Sequence, residues 1–277
     1  MVMAEVPTLS QLVRDESCCI SSVRRVAAML NLHPQEVREG QALPRGWHFF
    51  MLGADTRRAE LRGDGFPGFG MPMPELGLPR LLIVNRTVDY LDTLTIGAKI
   101  RRVSALTELK EKANSAGPMA LATFSHELFV EQQSTPSLVE TQTFMLLGAG
   151  RPKAPSLSPI PASAQRMKTF LPDESVLFQY SALGFNSHKI HIDKLYAREV
   201  EGFPDLVVNG GLTSLIMTEF ARLELGLDWL RMRTKHVAPL FCGRPITLAA
   251  DCIDGQWRLK AFDDTGILAA EMELDLK

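Results

Sequence analysis

Asn209-Gly210-Gly211-Leu212-Thr213-Ser214-Leu215-Ile216-Met217-Thr218-Glu219-Phe220-Ala221-Arg222-Leu223 is the stretch from which the fold can be read. Leu212, Leu215, Ile216, Phe220 and Leu223 recur at helical spacing, so Gly211 to Leu225 is predicted as a helix with a continuous apolar stripe. Strand-like runs follow at Arg231 to Ala238, Pro245 to Ile253, Trp257 to Phe262 and Ile267 to Leu276, and Val176 to Ser181 upstream is predicted as a further strand. One strand, one long helix and a meander of strands suit an antiparallel sheet that wraps a central helix. The helix then buries its stripe on the concave face while the other face of the sheet meets water.

The N-terminal half has a similar order. A helical stretch from about Leu9 to Leu32 precedes strand-like segments at Ile83 to Tyr90, Ala98 to Lys110, Met119 to Val130 and Ser137 to Leu147. Gly148 to Ala164 holds four prolines and few core-forming residues, which marks a linker. The expected organisation is therefore an N-terminal domain over 1–147, a linker over 148–168 and a C-terminal domain over 169–277, all of α+β class. Gly63 to Leu78 is a long Gly-, Pro- and Met-rich loop, and such loops inside compact domains are more often functional than decorative. Its Met71-Pro72-Met73-Pro74 run could line an apolar channel or pack on the domain.

The chain has 277 residues, 45% hydrophobic and 22% charged, with a formal charge of -2, which places it in the ordinary globular class. That balance gives no nucleic-acid footprint, and apolar runs such as Leu81-Leu82-Ile83-Val84 are too short to span a bilayer. Met1 to Ser10 has neither a basic start nor an apolar run, so a cytoplasmic location is expected. The four cysteines, Cys18, Cys19, Cys242 and Cys252, fit neither a zinc spacing nor a disulfide framework.

Chemistry concentrates in Phe185-Asn186-Ser187-His188-Lys189-Ile190-His191, which places two imidazoles and an amide in one short turn. A histidine suits proton transfer near neutral pH, and His191 is the candidate; Asn186 cannot be a base but can orient a water by accepting one hydrogen bond and donating another. The first amides of the helix opened by Gly210 point outward with a favourable dipole, so they suit a developing oxyanion. Bland readings stand beside these. The histidines could stabilise a turn or bind a metal, although no further ligand beyond Asp193 has a recognisable spacing. Asn209 could simply cap the helix.

The run Tyr180-Ser181-Ala182-Leu183-Gly184-Phe185-Asn186-Ser187-His188-Lys189-Ile190-His191, followed by Asp193, Tyr196-Ala197 and Leu206-Val207-Val208-Asn209-Gly210, resembles the double hot-dog (MaoC-like) acyl-thioester hydratases. That group includes hydroxyacyl-thioester dehydratase, 3-methylfumaryl-CoA hydratase and itaconyl-CoA (mesaconyl-C4-CoA) hydratase. Leu43-Pro44-Arg45-Gly46-Trp47-His48-Phe49-Phe50 is similar to the family's Trp-His segment, so the likeness runs over most of the chain. The resemblance implies two hot-dogs, catalysis by Asn186, His191 and the Gly210 amide, and substrate contacts from Arg45, Trp47, His48, His188 and Asn209. It departs from the broader hydratases in having Asn186 in place of an aspartate and Asn209 in place of a histidine.

The activity implied is hydration of an enoyl-CoA, a C5 dicarboxylyl-CoA such as itaconyl- or mesaconyl-CoA giving citramalyl-CoA. No metal or other cofactor is implied, the CoA thioester itself being substrate, and pairing of two chains stays open. A distal carboxylate would need a cation, for which Arg45, beside Trp47 and His48, is the candidate. Three competitors remain: a 3-hydroxyacyl-thioester dehydratase, a thioesterase, and a non-catalytic acyl-CoA-binding relative. An apolar tunnel would favour the first, and binding without turnover would mark the last.

Overall fold

The computed structural model describes residues 11–114, 117–150 and 157–277. Ten strands form one antiparallel sheet: β1 (Leu12–Ser17), β2 (Arg80–Tyr90), β3 (Lys99–Asn114), β4 (Gly117–Val130), β5 (Leu138–Leu147), β6 (Arg166–Phe170), β7 (Trp229–His236), β8 (Ile246–Ile253), β9 (Gln256–Phe262) and β10 (Leu268–Leu276). Their order is β1-β3-β4-β5-β2-β7-β10-β9-β8-β6, so the strands of each half are contiguous. The halves join where β2 pairs with β7, from Asn85↔Lys235 to Asp89↔Arg231. Three helices, α1 (Ile20–Met29), α2 (Glu174–Leu183) and α3 (Gly210–Leu223), complete the framework.

Alternation builds each layer. In β4 the inward residues Ala120, Ala122, Phe124, His126 and Leu128 are buried while the residues between them are half-exposed. Helix α3 is buried on every side from Leu212 to Ala221, as a helix enclosed by its sheet must be. Residues of α1, α3 and both half-sheets share one hydrophobic core. This is the double hot-dog arrangement.

Three expectations differ from the structure. The helix expected from Leu9 is interrupted, because Leu12 to Ser17 alternates strictly between half-buried and exposed and becomes an edge strand on β3; the helix proper is α1. The strand expected at Val176 to Ser181 is the middle of α2. Asp173 accepts a hydrogen bond from the Val176 N–H at 2.8 Å and caps a helix whose Val176, Leu177, Tyr180 and Ser181 form the buried face. Within the expected linker, residues 151–156 lie outside the described residues, while Arg166 to Phe170 is strand β6 on the edge of β8.

Candidate active site

Helix α2 ends at Gly184, and Phe185 takes a left-handed φ of 49° that turns the chain back toward the sheet. The Asn186 N–H donates to the Ser181 carbonyl at 2.8 Å, and Asn186 Oδ1 accepts from the His188 N–H at 3.1 Å, so the asparagine shapes the turn. The N-terminal half holds this segment from outside. Ser187 Oγ donates to the Gly65 carbonyl at 2.7 Å, and the Lys189 N–H donates to the Asp64 carbonyl at 2.8 Å. Gly65 sits at φ 78°, and a Cβ there would lie 2.4 Å from the Ser187 carbonyl oxygen, so both conformation and space require glycine.

His191 Nδ1 lies 2.7 Å from the Val207 carbonyl oxygen. A carbonyl only accepts, so Nδ1 carries the proton and Nε2 keeps its lone pair. Burial, and then the neighbouring His188, push the His191 pKa down to about 3, against a smaller opposing effect of the Val207 hydrogen bond. The His188 ring stands edge-on to it with centroids 5.5 Å apart. His188 Nε2 is 3.6 Å from Asp64 Oδ2, too far for a hydrogen bond, and burial followed by Arg62 pushes its pKa to about 4. Both imidazoles are therefore neutral near pH 7.

Asn186, His188, His191, Asn209 and Gly210 all line one cavity of about 870 Å³. The Asn209 side chain does not cap α3: its Nδ2 donates to Ser181 Oγ at 3.2 Å, and its Oδ1 is buried without a partner among the described residues. The first amide paired within α3 is that of Thr213, which donates to the Asn209 carbonyl at 3.0 Å. The amides of Gly210 and Gly211 precede it and lie at the positive end of the helix. Side chains would not fit here. A Cβ on Gly210 would meet Ile83 Cγ2 at 2.5 Å, and one on Gly211 would meet the Tyr180 hydroxyl at 2.0 Å.

The ring of Tyr180 is stacked on Phe49 with centroids 4.4 Å apart and cannot step aside freely. Gly211→Ala is expected to destabilise the protein by about 1–3 kcal/mol in urea unfolding. Adding Tyr180→Phe should recover most of that loss, whereas additive effects would show that the hydroxyl is not the obstacle.

The cavity also has a polar wall that sequence reasoning missed. Arg86 donates from Nε and Nη2 to the two oxygens of Glu140 at 2.7 and 2.8 Å; Glu140 also binds His48 Nε2 at 2.6 Å and the Gln142 amide. Arg86, Gln142, His126, His236 and Tyr180 line the cavity. The available signal was strand parity, because Arg86 shares its face of β2 with buried Val88 and Tyr90.

The Trp-His segment lies elsewhere. Arg45 rests on the Tyr90 ring at 4.9 Å and pairs with Asp228 at 3.2 Å; the Trp47 Nε1–H donates to Glu219 at 2.8 Å, and His48 binds Glu140. None of the three lines the cavity, so the expected substrate contacts from Arg45, Trp47 and His48 are corrected. Gly46, at φ 92° against Thr218, sets this segment on α3; Arg45 and Trp47 fasten the N-terminal half to the second hot-dog, and His48 ties the segment to β5 of its own half. Met71 and Met73 likewise pack with Phe124 and Leu146 rather than on the cavity, which Phe66 to Phe69 line. Among the described residues no three His, Cys, Asp or Glu side chains gather as a metal site, and no helix is long and apolar enough to cross a membrane.

The sequence profile of hydroxyacyl-thioester dehydratase type 2 matches residues 46–242, which spans the Trp-His segment, the His188–His191 turn and α3. The chain belongs to that family. It is an acyl-CoA hydratase/dehydratase of the hot-dog type, a carbon–oxygen lyase. This dehydratase-family chain is 28% identical over 265 residues to the mesaconyl-C(4)-CoA hydratase of Chloroflexus aurantiacus, covering 95% of this chain and 94% of that one. Among solved structures, a MaoC-like dehydratase from Phytophthora capsici superposes with a TM-score of 0.67 at 15% identity, over 97% of this chain and 95% of the other. A Mycobacterium tuberculosis protein with a double hot-dog fold gives 0.56 at 13% identity, over 97% and 96%. These two likenesses concern the fold.

Proposed function

We propose that this dehydratase-family enzyme adds water to a short enoyl-CoA whose acyl group carries a second carboxylate, such as mesaconyl- or itaconyl-CoA, giving citramalyl-CoA. The observation that carries the reaction type is the His191 Nδ1–Val207 bond, which leaves an unprotonated Nε2 in the cavity that Asn186 and the α3 amides also line. The substrate class is supported by the mesaconyl-C(4)-CoA hydratase relative, whose match runs nearly end to end.

In the forward direction, written for mesaconyl-C(4)-CoA, whose double bond is conjugated with the thioester, the thioester oxygen accepts from the amides of Gly210 and Gly211; the double bond of itaconyl-CoA must first shift into that conjugated position. Asn186 orients the water, and Nε2 of His191 takes its proton as the oxygen bonds to the β-carbon. The double-bond electrons move onto the thioester oxygen as an enolate. The imidazolium then returns the proton to the α-carbon and the enolate collapses, which leaves one water added and His191 neutral again. Low basicity of a buried imidazole favours this return, because the charged form is held reluctantly. Glycines at 210 and 211 let the thioester approach the helix end closely.

The purified protein tests this directly with itaconyl-, mesaconyl- and crotonyl-CoA followed by mass spectrometry. The expected product is the acyl-CoA plus one water, formed fastest from a dicarboxylyl substrate. Release of free CoA instead would make the protein a thioesterase, and binding without turnover would remove the enzymatic reading.

A further inference from the structure

The cavity wall contains two cations, Arg80 and Arg86. Arg80 is engaged by Glu201 at 2.6 Å and by the Gly150 carbonyl. Arg86 differs. It lies in mid-strand at the junction of the two hot-dogs, opposite Gln142 on one side and Thr234 on the other. Its side chain is 3% exposed and that of Glu140 is 0% exposed, so this is a deeply buried ion pair.

A buried pair of this kind is poor evidence for stability, since apolar residues of similar volume commonly serve as well. Here the acceptors are used up and a donor is left over. Glu140 receives Arg86 Nε and Nη2, His48 and Gln142, whereas Nη1 of Arg86 has no hydrogen-bond partner among the described residues. The Tyr180 hydroxyl, also on the cavity wall, has none either. The carboxylate of Glu140 thus fixes the guanidinium plane while the fork keeps one edge for the cavity.

Position adds the second argument. The Tyr180 hydroxyl lies against Gly211 and the His236 ring against Gly210, so both mark the first turn of α3. His236 follows Thr234 on the same face of β7, diagonal to Arg86, and the Arg86 charge is felt by both His236 and Tyr180. The carboxyl carbon of a four-carbon enedioic chain is three bonds from the thioester carbonyl carbon, roughly 4 Å in a planar trans arrangement. A thioester held at the α3 amides would carry such a carboxylate toward this wall.

We infer that Arg86, held by Glu140 and assisted by the Tyr180 hydroxyl, binds the free carboxylate of the acyl group and makes the enzyme prefer dicarboxylyl over monocarboxylyl thioesters. The inference rests on the dicarboxylate reading above. Wild-type enzyme is compared with Arg86→Gln/Glu140→Gln, which removes both charges together, and kcat and KM are measured for mesaconyl-CoA and crotonyl-CoA. The wild type should prefer mesaconyl-CoA, and the ratio of the two kcat/KM values should fall about 10- to 100-fold in the double variant, mostly through KM.

Equal losses on both substrates would show that the pair only braces the fold, and an unchanged ratio would show that the carboxylate is bound elsewhere; either overturns the inference. A wild type that hydrates crotonyl-CoA with no preference for mesaconyl-CoA would instead sink the dicarboxylate reading, and this inference with it. Should the double variant not fold, Arg86→Lys gives the same decision. It keeps one charge beside Glu140 but lacks the rigid fork, so the ratio should still fall about tenfold.

Discussion

Replacing His191 by asparagine is expected to lower kcat by roughly a hundredfold to ten-thousandfold, the usual contribution of a positioned acid–base group, with little change in KM. The choice of asparagine isolates the role. Its amide N–H₂ can take over the hydrogen bond to the Val207 carbonyl, so the turn keeps its anchor while the basic nitrogen disappears. His191→Ala would also leave that buried carbonyl unpaired and mix a folding defect into the result. Steady-state kinetics on the best substrate, with a thermal melt beside it, decides the matter. A kcat within tenfold of wild type in a folded variant would place the base elsewhere. Of the remaining imidazoles on the cavity wall, His236 would then be the group to replace next, because it packs against the Gly210 end of α3.

Much of this architecture could be read from local sequence, for a definite reason. The stripe from Leu212 to Phe220 and the alternation from Ala120 to Leu128 in β4 are set by burial on one element, so periodicity reports them. The turn at Asn186 to His191 was legible because its polar groups are adjacent in the chain and few structural purposes call for that composition. Helix α2 was misjudged because Val176-Leu177-Phe178 looks β-like, and the deciding feature, the Asp173 cap, is a single side chain three residues upstream of the amide it binds.

The polar wall was out of reach for another reason. Arg86, Glu140, His126 and His236 are brought together by the pairing of β2 with β5 and β7 and of β4 with β5, which no local pattern encodes. The same limit misplaced Arg45, Trp47 and His48. Their composition resembles a site, yet their partners are Asp228, Glu219 and Glu140, each far along the chain; the first two contacts join the halves, the third braces the N-terminal half, and none of the three side chains lines the cavity.

Acid should unfold this protein well before it titrates the base. Burial pushes His126, His188 and His236 to about 4 and His191 to about 3, while His48 is also lowered, first by burial. Near pH 7 these side chains are neutral in the folded chain and mostly neutral in the unfolded chain, so their proton linkage is small. As pH falls through ~6.5 the unfolded imidazoles bind protons and the folded ones do not, so stability falls with decreasing pH until the folded values are reached. Each such histidine costs about 1.4 kcal/mol per pH unit in that window, and the four with folded values near 3 to 4 together cost roughly 5 kcal/mol per unit.

Glu140 acts in the same direction at lower pH. Burial alone would raise its pKa, but Arg86 and His48 hold its carboxyl well below the ordinary range, so its contribution is present at neutral pH and lost as acid protonates it. Against a typical total stability of about 5–15 kcal/mol, the imidazoles suffice to bring the unfolding transition to about pH 5. Thermal melts at pH 7 and pH 5.5 should differ by on the order of 10 °C. A melting temperature constant over that interval would mean that the imidazoles exchange protons freely in the folded state, and the neutral-base argument for His191 would lose its footing. The rate per folded molecule should meanwhile stay level down to the unfolding transition. The acid limb of activity would then coincide with the loss of tertiary structure seen by near-ultraviolet circular dichroism, and not with a separate titration near pH 6.5.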